Sequence, residues 1–204
     1  MTKAEMTSDA GGESGMTKGY SFVEHQHRLA SWAAATAARS SPKCRFPVRE
    51  AVDILNRLRI RSFVENPQVL AGSVEDFDRI HRELCCEAIR LSAERLPAPE
   101  AGGSFSFGVA AKLINVYLKV GVLSRSTRDG AEFLAMHPPI DRVLLSGLGD
   151  ADLGGRRKFW IAMAKLGWST FSEAQYGEVI RAIRESLPAS VPLWSVEEYW
   201  RGYQ

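Results

Sequence analysis

The sequence predicts an all-α protein, a multi-helix bundle of about eight helices. Three observations lead there. Apolar residues recur at helical spacing from Tyr20 to the C-terminus. No stretch sustains the alternation of a half-buried strand. Gly, Pro and capping residues fall between segments of helical length, and no internal repeat is evident. With 204 residues, 45% of them hydrophobic, residues 20–204 suffice for one compact unit or two interlocked halves. Residues 1–19 are polar and lack the apolar core of a signal peptide, so a disordered leader is expected there.

The elements follow in order. Residues 27–39 form an Ala-rich helix with Leu29, Trp32, Ala33 and Ala37 on one stripe. Residues 46–60 open with Pro47 in the first turn and carry Val48, Val52, Leu55 and Leu58 as an apolar face. Ser73 caps a long helix in which Phe77, Ile80, Leu84 and Ile89 recur, and Pro97 stops it. After a loop punctuated by Gly102-Gly103, the strongly apolar helix 108–121 ends at Gly121. Pro138-Pro139 start a helix through Leu148, and a further helix spans 155–167. Thr170 and Glu173 are expected to form a capping box for the helix 170–187. Its apolar set is Phe171, Ala174, Val179, Ile180, Ile183 and Leu187. The aromatic C-terminus, PLWSVEEYWRGYQ, should dock on the body.

Composition excludes several classes. Net charge is only +2, but Arg outnumbers Lys, and Arg suits bidentate phosphate contacts, so a local basic face is compatible with the total. Three cysteines, two of them adjacent, suit a reduced, cytoplasmic or nucleoid-associated protein. No apolar run approaches the roughly 20 residues that span a bilayer, and no membrane partner is expected. GxGxxG, GxxxxGK[ST], GxSxG and HExxH are all missing, which disfavours dinucleotide, NTP, α/β-hydrolase and zincin chemistry. His81, Cys85 and Cys86, with His25 and His27 elsewhere, could be weighed as zinc ligands. No paired CxxC or HxxxH accompanies them, so no metal and no cofactor is expected.

The helix 108–121 poses the main question. Val109, Leu113, Val116, Tyr117 and Val120 make one apolar face, and Ala111, Ile114 and Leu118 another. Lys112, Asn115 and Lys119 make the one polar stripe. Periodicity alone favours a solvated seam with lysine stems along the core edge. The alternative is a cleft in which desolvation lowers the Lys112 pKa until the amine is nucleophilic. Asp141 likewise reads as a helix-dipole partner or as a carboxylate at a cleft rim.

Gly108-Val109-Ala110-Ala111-Lys112, followed by LINVYLKV and later by Pro139-Ile140-Asp141, resembles the helix-hairpin-helix DNA glycosylases, closest to lysine-bearing 8-oxoguanine glycosylases of the divergent archaeal type. In that superfamily a Gly-Val-Gly-x-Lys stretch opens an apolar helix and a Pro-Val-Asp follows. Ala110 stands here where the family has its second glycine, and Leu-Pro lies back at Leu96-Pro97. The resemblance covers residues 97–148 and implies an all-helical body, Lys112 as nucleophile and Asp141 as electrostatic and acid–base partner. It also implies a DNA glycosylase with AP-lyase activity that flips a damaged or modified base out of a duplex.

The hairpin residues Ser106, Gly108 and Val109 would then hold a phosphate at a helix N-terminus. Lys119, Arg125, Arg128, Arg142, Arg156 and Arg157 are further phosphate contacts to consider. Trp32, Asn115, Trp168 and the aromatic tail are candidates for a base pocket. DNA is the expected partner, with no obligate protein partner. Two other functions stay open: a non-catalytic helical DNA-binding module, and a helical protein-interaction domain.

Overall fold

The computed structural model describes residues 19–39, 45–96, 104–127 and 130–202. The expected leader except Gly19, together with Cys44, Pro97, Gly102-Gly103 and Arg128, lies outside the described residues. Among the described residues eight α-helices and several 3-10 turns occur, with no strand. The α-helices are α1 (Phe22–Ala38), α2 (Val48–Arg57), α3 (Arg61–Glu65), α4 (Val74–Arg95), α5 (Phe107–Gly121), α6 (Arg142–Asp150), α7 (Arg157–Leu166) and α8 (Glu173–Ser186). A last 3-10 segment spans Leu193–Tyr199.

Helix α5 is the axis. From Phe107 to Leu118 every residue except Val116 is buried, because α1, α3, α4 and α8 pack around it. Phe107–Arg125, 19 residues with a window of mean hydropathy 1.4, is long and apolar enough to cross a membrane by length and composition, and 72% of that window is buried within the fold. In the fold these residues are enclosed by the other helices, as a core helix is.

Helix α1 is rotated from the expected face. Ala30, Ala34, Ala35 and Ala38 are buried, whereas Leu29 and Trp32 are exposed. The reason is close approach. A Cβ on Gly121 of α5 would lie 3.3 Å from Ala30 Cβ and 3.0 Å from Val64, so only small side chains fit between α1 and α5. Helix α4 keeps its Ser73 cap, which accepts from the Asp76 amide, but its innermost residues are Phe77, His81, Cys85, Ala88 and Leu91. Helix α8 is capped by Ser172 with Gln175, two residues beyond the expected Thr170–Glu173 box. Its Tyr176 is buried and Ala174 exposed.

A buried polar chain joins α4, α5, α8 and the segment before α6. His81 Nε2 donates to Asn115 Oδ1 at 2.9 Å. The Asn115 amide donates to Pro138 O at 3.1 Å and to the Tyr176 hydroxyl at 2.9 Å. The Tyr176 hydroxyl donates to His137 Nδ1 at 3.1 Å, and His137 Nε2 donates to Asp78, which Arg184 clasps with two nitrogens. From His81 to Asp78 each hydrogen bond has a donor and an acceptor when both imidazoles are neutral, while Arg184 Nε is buried without a partner.

Burial holds His81 well below its ordinary value of 6.5, and His137 below it despite Asp78. The unfolded chain therefore takes up protons near pH 6.5 that the folded chain refuses, so stability is lost as pH falls through and below that value. We expect the urea unfolding free energy to drop between about pH 7 and pH 5, and to drop less in His81→Gln. Equal slopes in the two proteins would contradict this account of His81.

Candidate functional site

The Pro138-Pro139 pair does not begin a helix. A proline disfavours helical backbone in the residue before it, and residues 138–141 carry no regular secondary structure, Asp141 itself being extended. Helix α6 starts at Arg142, with Asp141 as its N-cap rather than in its first turn. Asp141 Oδ1 accepts from the Leu144 amide at 2.8 Å, a bond that fixes the carboxylate plane. Oδ2 is thereby turned toward α5, where it accepts from Lys112 Nζ at 3.1 Å.

Lys112 is 6% exposed. Desolvation pushes its pKa below the ordinary lysine range, and the charge and hydrogen bond of Asp141 oppose that shift. The amine also sits over the Trp168 ring, 4.4 Å from its centroid, a cation–π contact that favours the ammonium. A second donor reaches the same carboxylate oxygen: Trp200 Nε1, at 3.1 Å, from the end of the last 3-10 segment. The pair opens on a cleft of about 760 Å³, lined also by Arg142, Val143, Ser146, Asp150, Ile161, Lys165, Leu166 and Ser169. Val143, Ile161 and Leu166 are exposed apolar groups on its walls, beside the cations Arg142 and Lys165.

The residues expected to grip phosphate do something else. Gly108 N–H donates to Phe171 O at 3.1 Å, and Val109 N–H to Ser106 Oγ at 3.2 Å. Ser106 Oγ in turn donates to Ser169 O at 2.8 Å. A Cβ on Gly108 would lie 1.9 Å from the Trp168 carbonyl oxygen. Ser106, Gly108 and Val109 thus clamp the Trp168–Thr170 turn onto the start of α5, and the Gly108 and Val109 amides are not open to a phosphate. Gly167, with φ 91°, ends α7 and admits that turn.

The other expected residues divide. Trp168 and Arg142 line the cleft with Lys112 and Asp141. Asn115 is 1% exposed and fully engaged in the buried chain, so it is no base-pocket wall. Trp32 is exposed on α1 and Arg125 bonds Val64 O, both away from the cleft lining. Lys119 pairs with Glu197, which burial pushes above the usual carboxylate range. Arg156 pairs with Glu185, while Arg157 donates to the Asp150 carbonyl. His81 and Cys85 belong to the core, and among the described residues no group of three or more His, Cys, Asp or Glu gathers around a point. Trp200, Lys165 and Ile161 were not singled out from the sequence. Only the aromatic density of the tail hinted at the first.

The arrangement supplies a desolvated amine, a carboxylate able to hold its proton or face a developing cation, and an aromatic wall. Lys112 titrates below its ordinary value of 10.5 when folded, so the unfolded chain keeps a proton the folded chain has lost as pH rises toward 10.5. Relative to Lys112→Met, the wild-type protein should gain stability as pH climbs from neutral toward that value. A wild-type-minus-variant difference in unfolding free energy that is flat or falling with pH would refute the desolvated amine. No known protein family, curated protein or solved structure matches the chain.

Proposed function

We propose that the chain is a lysine-dependent DNA glycosylase with AP-lyase activity, acting on a damaged or modified base turned into the cleft beside Trp168. The single observation that carries the proposal is the meeting of Lys112 and Asp141 at 3.1 Å on the wall of that cleft, from positions 29 residues apart in the chain. Lys112 Nζ attacks C1′ of the deoxyribose, and the bond from C1′ to the base nitrogen breaks with its electron pair on the base. Asp141 receives the lysine proton and faces the positive charge that grows on the sugar ring. Opening of the sugar then leaves a Schiff base on Nζ, from which β-elimination cleaves the strand. Arg142 and Lys165 line the cleft, and in this reading they meet the flanking phosphates.

The engagement of the Gly108 and Val109 amides weighs against a module that only binds DNA through the hairpin. Asp141 paired to a buried amine, with apolar walls around it, favours chemistry over simple phosphate contact.

The test is an excision screen over duplex and single-stranded oligonucleotides carrying modified bases. We expect base release with wild type, at least about 100-fold less with Lys112→Ala, and about 100-fold less with Asp141→Asn, the range of a lost acid–base partner. No release from any substrate, or full activity in Lys112→Ala, would overturn the proposal.

A further inference from the structure

Asp141 Oδ2 serves two donors at the same distance, 3.1 Å: the Lys112 amine from α5 and the Trp200 indole N–H from the C-terminal segment. We infer that Trp200 is a positioning residue, whose N–H shares the Asp141 carboxylate with Lys112 and so sets the pH at which the amine becomes nucleophilic. This rests on the assignment of Lys112 as the nucleophile, and it gives the C-terminal segment a part in that site.

Trp200 is held for this contact from several sides. Val196 and Leu193 are buried, and the Leu193 amide donates to Leu134 O at 3.0 Å, which anchors the start of the segment. Gly147 of α6 lets the segment approach closely: a Cβ there would lie 2.1 Å from Tyr199 O. Gly202 does the same behind the indole, where a Cβ would lie 2.2 Å from the ring. The ring is thus wedged between the chain end and Asp141, with its one polar atom aimed at the carboxylate.

The charged groups around the pair are few. Asp141 is the ionic partner that faces Lys112, and Trp168 offers it a ring face. Arg142 and Asp150 of α6 and Lys165 of α7 share the cleft. Glu197, paired with Lys119, lies close enough for Asp141 to raise its pKa. A hydrogen bond donated to a carboxylate disperses its charge and weakens its hold on a neighbouring ammonium. Without the indole N–H, Asp141 binds the Lys112 proton more firmly and free amine appears only at higher pH.

Trp200→Phe keeps a ring and removes the N–H. The full-length protein is reductively methylated with carbon-13 formaldehyde, the Lys112 signal is identified by its loss in Lys112→Arg, and its pH midpoint is read by NMR. We expect the midpoint in Trp200→Phe to rise by about half a pH unit, a threefold loss of free amine at any pH below it. In an Asp141→Asn background the same change should leave the midpoint where it was, because Trp200 acts through the carboxylate. Far-UV circular dichroism of each variant reports retained helix content. Should Trp200→Phe not fold, Trp200→Gln, which retains an N–H donor, is compared with Trp200→Leu, and the midpoint is expected to be higher in Trp200→Leu. An unmoved or lowered midpoint, or an equal shift in both backgrounds, overturns the role given to Trp200. Failure to excise any base, with the midpoint shift intact, would instead remove the glycosylase assignment alone.

Discussion

The three hydrogen bonds of Asn115 tie the fold to the site. Its amide fastens the Pro138 carbonyl and the Tyr176 hydroxyl to α5 while its oxygen accepts from His81. Asp141 lies three residues beyond Pro138 along a stretch without regular secondary structure. The distance between Asp141 and Lys112 therefore depends on where Asn115 holds that stretch. Buried polar groups cost a great deal when left unpaired and specify one arrangement when fully paired. Here every member from His81 to Asp78 has a partner, so the segment bearing Asp141 has one seat on α5. Helix α6 then needs only its N-cap to aim the carboxylate.

The polar stripe on α5 takes on a different meaning in this light. Periodicity groups Lys112, Asn115 and Lys119 on one seam of an otherwise apolar helix, and a seam of that kind is usually wet. In the fold each member has its own protein partner: Asp141 for Lys112, the His81–Pro138–Tyr176 cluster for Asn115, and Glu197 for Lys119. The stripe is where α5 makes directed contacts with the segment before α6 and with the C-terminus. The apolar remainder fixes depth and the stripe fixes orientation.

How far the sequence could be read differs between elements for physical reasons. The longer helices, the Ser73 cap and the extent of α5 are legible from local pattern, whereas the short α3 is not. The buried face of α1 was not, because hydropathy selects Leu29 and Trp32 whereas proximity to Gly121 admits only alanines. Lys112 and Asp141 could be singled out by local motif, and they meet. Ser106, Gly108 and Val109 could also be singled out. Their function turns on Trp168–Phe171, some sixty residues away in the chain, which no local motif encodes. Trp200 was hidden for the same reason, since an indole N–H acquires a role only from what lies opposite it.

The proposed chemistry requires one buried amine, Lys112, to be the nucleophile. The most direct measurement is borohydride reduction of the protein with a duplex containing an abasic site, followed by tandem mass spectrometry of the cross-linked peptide. A deoxyribose adduct on Lys112 Nζ is expected. An adduct confined to another amine, such as Lys165 at the cleft rim, or no adduct at all, would contradict it.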